Sequence, residues 1–124
     1  MKDFRTLTVW EKSHNLTLAL YTATKTFPKE ELFGLTGQTR RAVASIPANI
    51  AEGCGKGSDP DFCRFLQIAF GSACEVEYHL ILAHDLGYLT PDQFSELTSE
   101  LLSIKKMLAS LINKIRSEIS ETKG

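Results

Sequence analysis

A seven-residue apolar repeat in the C-terminal third of the chain constrains the fold more than any other feature. After Pro91, apolar residues recur at alternating steps of three and four. This spacing places them on one side of an α-helix and is typical of the seam in left-handed helix bundles. The repeat therefore predicts a long helix packed against other helices. Its seam comprises Phe94, Leu97, Leu101, Ile104, Leu108, Leu111 and Ile115.

Three earlier segments also have helical periodicity and are separated by proline or glycine. Pro28 follows the first, Gly55 and Gly57 follow the second, and Gly87 follows the third. No segment alternates with a period of two over the length of a strand. We predict helices at about 8–27, 36–54, 60–86 and 91–119. Because the connections are short, the fold class is all-α, an antiparallel up-down-up-down four-helix bundle forming a single domain over residues 1–124.

Local residue patterns predict how these helices begin and where one is distorted. Thr8 and Asp59 are predicted N-caps, and Thr90 has Gln93 three residues later, the spacing of a capping box. Pro47 lies inside the second predicted helix. Because proline lacks the amide hydrogen and clashes with the preceding turn, we expect a kink or local distortion there.

A line of polar residues runs along the second predicted helix, beside an apolar row that ends in Gly53 and suits close contact with another helix. Polar groups near a core need partners, so either a hydrogen-bond network within the bundle or a surface for a ligand or nucleic acid explains them. We expect the network, with Arg41 in an ion pair with Glu75 or Glu52. Its predicted members are Gln38, Arg41, Ser45, Asn49, Glu52 and Glu75.

The third predicted helix carries two apolar stripes about 110° apart, more apolar surface than one bundle normally covers. Either this helix is the most central of the four, or the second stripe lies between subunits. We expect a homo-oligomer. The predicted interface residues are Cys63, Phe70, Cys74 and Ile81.

The charge of the chain is unevenly distributed. The formal net charge is −1, yet residues 1–58 hold eight Lys/Arg against five Asp/Glu, net +3, and residues 59–124 hold six against ten, net −4. Such asymmetry allows a basic patch. We predict that Arg40, Lys56 and Arg64 contact nucleic-acid phosphates, although a solvated arginine is an alternative for Arg40.

Several sites of enzymes and metalloproteins are considered and rejected. Glu11 and His14 have the spacing of a di-iron ligand pair, but the second such pair is missing. Glu75 and His79, four apart, fit a helical ion pair instead. The glycine-rich segment 53–58 lacks the spacing of a phosphate-binding loop and follows a helix. No nucleophile has a base and an orienting carboxylate in a matching motif, so we predict no catalytic residue, metal or cofactor.

Cellular location is inferred from the cysteines and the apolar runs. Three cysteines without a Cys-x-x-Cys pair indicate neither a disulfide framework nor a zinc site. The N-terminal residues lack the apolar region of a signal peptide, and no apolar run is long enough to span a membrane. We therefore expect a cytoplasmic protein without a membrane partner.

Motifs along most of the chain resemble those of one bacterial family, the four-helix-bundle proteins encoded by intervening sequences in 23S rRNA genes. The resemblance covers about Phe4 to Ile115. It implies a cytosolic bundle that assembles into homo-pentamers, with no established catalytic residues, and a distant relationship to a nucleic-acid-binding accessory protein of retroelements. The matching segments are LTVWEK (7–12), FP (27–28), ELFGL (31–35), QTRRA (38–42), SIPANIAEG (45–53), FLQIA (65–69) and GSACE (71–75).

Together these features predict a non-enzymatic oligomeric bundle that binds nucleic acid, RNA in particular, through phosphate contacts. The partners expected are other copies of the chain and RNA or DNA. A scaffold that binds another protein is the first alternative, and an enzyme built on the polar line of the second helix is the other.

Overall fold

The computed structural model describes residues 3–123 and contains four α-helices. They are α1 (Thr8–Ala23), α2 (Leu35–Cys54), α3 (Asp59–Asp85) and α4 (Pro91–Lys123), with short 3₁₀ turns at Phe4–Thr6, Thr24–Thr26 and Lys29–Glu31. Each helix packs against the next, and α4 closes against α1. The described residues contain no strand. The predicted all-α, up-down-up-down four-helix bundle is confirmed.

The bundle core follows the apolar periodicity. In α4, Leu101, Ile104, Leu108 and Ile115 are fully buried, as the heptad repeat predicts, and Ile112 adds a buried position. Within the described residues, no helix combines the length and apolarity that crossing a bilayer requires.

The end of α1 differs from the prediction. The α-helix stops at Ala23, four residues early, and the chain continues as a 3₁₀ turn to Thr26. The Thr24 hydroxyl donates to the Leu20 carbonyl at 2.7 Å, and Phe27 is extended because Pro28 follows it. This change of direction brings Phe27 into the core.

The helix caps were predicted with mixed success. The capping box is confirmed, because the Thr90 and Gln93 amides each donate to the other residue's side chain, at 2.9 and 3.1 Å. Thr8 is instead the first helical residue of α1, which has no side-chain cap. In α3 the cap is Ser58 rather than Asp59, since the Ser58 hydroxyl accepts from the Asp61 amide at 3.3 Å.

Pro47 lies inside α2, which continues helically from Leu35 to Cys54. A proline at this position leaves the carbonyl of Val43, four residues earlier, without its helical donor. The Thr17 hydroxyl of α1 lies 3.2 Å from that carbonyl and also 2.8 Å from the Ser13 carbonyl. The one hydroxyl proton of Thr17 is thus shared between the two carbonyls and partly replaces the amide donor that Pro47 lacks.

Candidate binding surfaces

The polar line of α2 forms a network only at its centre. The hydroxyls of Ser45 and Ser72 are hydrogen-bonded at 2.6 Å and join α2 to α3. The Asn49 side-chain amide donates to the Ser45 carbonyl at 2.7 Å. These contacts satisfy polar groups beside the core, so this part of the line stabilises the helix pair.

The outer members of the predicted network do not join it. Arg41 and Glu75 are exposed and form no ion pair with each other. Glu75 instead lies 3.6 Å from His79 Nε2 on its own helix, and Glu52 lies 3.9 Å from Lys56. Gln38 is exposed and, like Arg41, makes no side-chain hydrogen bond among the described residues. The prediction of an Arg41–Glu75 pair is wrong because long charged side chains remain hydrated at this surface.

The predicted interface residues of α3 separate into two groups. Cys63 is buried within the chain, and Phe70 is half-buried against the core with the Lys105 ammonium 5.4 Å from its ring centre. The assignment of Cys63 to surplus surface is therefore wrong, whereas Phe70 remains partly exposed in a groove beside α4. Cys74 and Ile81 are exposed, as predicted.

Exposed apolar side chains form a continuous strip on α3. Tyr78 is 59% exposed and Ile81 is 44% exposed, and with Cys74 they lie within about 60° of one another around the helix. We call Cys74, Tyr78 and Ile81 the α3 strip. Tyr78 was not among the predicted interface residues, although its spacing from Cys74 and Ile81 indicates the same face.

Lys56 and Arg64 lie together at the α2–α3 junction. Their cationic groups are 5.4 and 4.6 Å from the centre of the Phe65 ring. Each also has a carboxylate nearby, Glu52 at 3.9 Å from Lys56 and Asp61 at 4.0 Å from Arg64. The local charge is therefore largely neutralised.

Arg40 is separated from that pair by most of α2, which rises about 21 Å between Arg40 and Cys54. The three predicted phosphate-binding residues therefore do not form one patch within a subunit. The Arg40 Nε donates to the Thr24 hydroxyl at 2.9 Å, and Nη2 donates to the Tyr21 carbonyl at 3.4 Å. Its guanidinium also lies 5.0 Å from the centre of the Tyr21 ring. Arg40 is thus oriented by the C-terminal end of α1.

A groove of about 430 Å³ lies beside Arg40, between the segment that follows α1 and the first turns of α2. We call it the α1–α2 groove. Among the described residues, its three cations, Lys25, Lys29 and Arg40, form no ion pair with a carboxylate. Lys25 and Lys29 were not predicted, although both flank the Phe27–Pro28 pair that ends the helical segment. The groove is lined by Thr24, Lys25, Phe27, Pro28, Lys29, Leu32, Thr36 and Arg40.

The carboxylate nearest to the start of α2 is occupied by other contacts. The two oxygens of Glu31 accept hydrogen bonds from the Leu35 amide at 3.2 Å and from the Tyr88 hydroxyl at 3.0 Å. The hydrogen bond to Glu31 raises the pKa of Tyr88 above its usual value, and desolvation adds to the shift. Glu31 therefore connects α2 to the α3–α4 loop.

Across the described residues, no group of three or more His, Cys, Asp or Glu is placed to hold a metal ion. The glycine-rich segment ends α2 at Cys54 and leads into α3, with Gly57 at φ 81°. Gly53 lets the two helices approach, because a Cβ there would lie 2.9 Å from the Phe65 Cβ. The sequence predicted a close helix contact for the apolar row that ends in Gly53, and this distance agrees with it.

The 23S rRNA-intervening sequence protein family matches the chain over residues 5–110. The chain belongs to this family. A solved structure from Bacteroides thetaiotaomicron VPI-5482, described as a protein of unknown function from the S23 ribosomal protein family, is 32% identical. The match covers 85% of this chain and 95% of that chain with a TM-score of 0.79. No curated protein matches the chain. Family membership thus agrees with the helical fold, while the solved relative carries no assigned activity.

Proposed function

We propose that this member of the 23S rRNA-intervening sequence protein family is a non-enzymatic, self-associating bundle that binds nucleic acid through its phosphates. The observation that carries the proposal is the group of cations at the α1–α2 groove. Lys25, Lys29 and Arg40 have no neutralising carboxylate, whereas Lys56 and Arg64 each have one. Cations without a neutralising carboxylate are the groups that phosphates attract most strongly.

Self-association supports this function because it multiplies a small basic site. One subunit has net charge −1 and three cations at the groove, which favours only weak binding. Several copies held together raise the avidity for a long polyanion without any new contact. We assign the α3 strip to subunit contact and adopt the pentamer that the family resemblance implies. The exposed Cys74 thiol suits a reducing compartment, so we place the protein in the cytoplasm.

The proposal is tested by titrating labelled structured RNA and duplex DNA over a range of salt concentrations. The test variant is Lys25→Glu with Lys29→Glu, because reversing Arg40 would also remove its contacts with Thr24 and the Tyr21 carbonyl. We expect the affinity to fall at least about tenfold and the salt dependence to become shallower, since fewer phosphates are neutralised.

The matched control is Lys56→Glu with Arg64→Glu, which makes the same change in net charge at the other end of α2. It should have the smaller effect, because these two cations already lie near carboxylates. Equal losses in both double variants would indicate non-specific attraction by total charge. No binding of either nucleic acid at low salt would refute the proposed function and favour the protein-binding scaffold.

A further inference from the structure

The α1–α2 groove combines unpaired cations with an apolar floor of fixed shape. Its volume of about 430 Å³ lies within the range of small-molecule sites, roughly 300–1,000 Å³. The buried Phe27 ring is held against Tyr88 with their centres 5.3 Å apart, and Pro28 follows it. Leu32 adds a wall that is 49% exposed. Because Phe27 is buried in the core, the apolar surface that the groove offers comes mainly from Pro28 and Leu32, with Phe27 beneath them.

The cations border this apolar floor. Arg40 is already oriented by Thr24 and Tyr21, and those contacts leave part of its guanidinium free to donate. Lys25 and Lys29 are exposed on the segment that forms the opposite side. Such an arrangement suits a ligand with a phosphate head and a flat, weakly polar body, because Arg and Lys both bind phosphate.

The start of α2 forms one end of the groove. Thr36 lines it in the first turn of α2, and the buried Thr36 hydroxyl has no hydrogen-bond partner. Glu31 Oε1 accepts from the Leu35 amide at 3.2 Å, so a carboxylate already lies at the N-terminal end of α2 and offsets its dipole. The attraction for an anion therefore comes from Lys25, Lys29 and Arg40 rather than from the helix end.

We infer that the α1–α2 groove binds one unpaired nucleotide, with its phosphate against Lys25, Lys29 and Arg40 and its base against Pro28 and Leu32. This inference rests on the proposed phosphate binding and adds a site for the base. The nucleotide comes either from a single strand or from a free nucleoside monophosphate. A base inside a duplex is stacked on both faces and cannot enter the groove, so the groove selects single strands.

The deciding variant is Leu32→Ala, which shortens the apolar wall and leaves every charge in place. Its matched control is Leu86→Ala, because Leu86 is also 49% exposed and does not line the groove. The probes are a labelled single-stranded oligonucleotide, the duplex of the same sequence, adenosine 5′-monophosphate and inorganic phosphate. Far-ultraviolet circular dichroism verifies that both variants fold.

We expect Leu32→Ala to weaken the single strand and adenosine 5′-monophosphate about fivefold while duplex affinity is unchanged. This corresponds to losing roughly 40 Å² of apolar contact. Leu86→Ala should bind all probes as the parent does. Inorganic phosphate should compete in the parent and in both leucine variants, since it needs only the cations.

Each other result overturns a different part of the inference. Equal affinity for single strand and duplex, unaffected by Leu32→Ala, would remove the base site and leave the proposed phosphate binding in place. If no strand binds at low salt, the proposed function fails. The adenosine 5′-monophosphate titration then decides whether the groove binds a free nucleotide. Binding that Leu32→Ala weakens supports this source of the nucleotide, and no binding overturns the inference.

Discussion

At the residue scale, His79 is a buried titratable side chain whose position affects stability. Desolvation lowers its pKa below the usual imidazole value, and Glu75, whose Oε2 lies 3.6 Å from Nε2, opposes that shift. The Nδ1 atom is buried without a hydrogen-bond partner. The folded protein therefore favours neutral His79, whereas the unfolded chain takes up a proton near pH 6.5.

We predict that His79 makes the folded state less stable as the pH falls through about 6.5. Below that pH the unfolded chain binds more protons than the folded one, so the free energy of unfolding decreases. Urea unfolding between pH 7.5 and 5.5 should show this slope, and His79→Leu should flatten it. The control His14→Gln changes an exposed histidine and should retain the slope. An identical pH dependence for His79→Leu and the parent would contradict the prediction.

Side-chain neighbours were predictable within one helix but not between two. The four-residue spacing predicts that Glu75 and His79 are adjacent, and the structure confirms it. A contact between Arg41 and Glu75 depends also on the relative rotation of α2 and α3 and on two flexible side chains. The residue spacing contains none of this information, so it provided no basis for choosing the Arg41–Glu75 pair.

At the element scale, a close approach of α2 and α3 depends on a glycine. A Cβ at Gly53 would lie 2.9 Å from the Phe65 Cβ and 3.0 Å from Phe62 Cδ1. Gly71, in the middle of α3, has open space around the same position. The two glycines thus separate the effect of helix propensity from the effect of packing.

We predict that Gly53→Ala lowers the free energy of unfolding by about 1–3 kcal/mol, because overpacking outweighs the better helix propensity of alanine. Gly71→Ala should raise it by about 0.5–1 kcal/mol, since only propensity changes there. Urea unfolding at pH 7.5 measures both. Stabilisation by Gly53→Ala would mean that α2 and α3 can separate without cost.

The helices themselves were predictable because periodicity and breakers act locally. The capping box at Thr90 and the end of α2 near Cys54 follow from adjacent residues. The early end of α1 does not follow from adjacent residues alone. It depends on Thr24, whose hydroxyl bonds back to Leu20 and also accepts from Arg40, sixteen residues later. The contact between Thr24 and Arg40 also forms one side of the α1–α2 groove. Because this contact is long-range, the sequence did not predict the groove.

At the scale of the whole molecule, the proposed subunit contact lies on the α3 strip. The sequence predicted excess apolar surface on α3, but it could not divide the apolar residues between the core, α4 and solvent. The structure buries Cys63, packs the half-buried Phe70 against the core and leaves Tyr78 and Ile81 exposed. A change at Phe70 would therefore disturb the core, and Ile81 is the better position at which to test assembly.

We predict that the parent protein is a pentamer at micromolar concentration and that Ile81→Glu dissociates it. Five copies of a 13.8-kDa chain have a mass of about 69 kDa, which light scattering after size exclusion measures directly. Glutamate at position 81 places an unpaired charge in an apolar contact, and this costs several times the thermal energy per subunit. The core stays intact because Ile81 lies outside it. The helical circular-dichroism signal should therefore be unchanged.

Leu18→Glu is the control for this prediction, because Leu18 of α1 is 54% exposed and lies outside the α3 strip. It introduces the same charge and should leave the mass near 69 kDa. Dissociation by both variants would place the contact on more than one face of the bundle. A monomeric parent would refute the subunit contact altogether, and the exposed Tyr78 and Ile81 would then be available to a different protein, as the scaffold alternative requires.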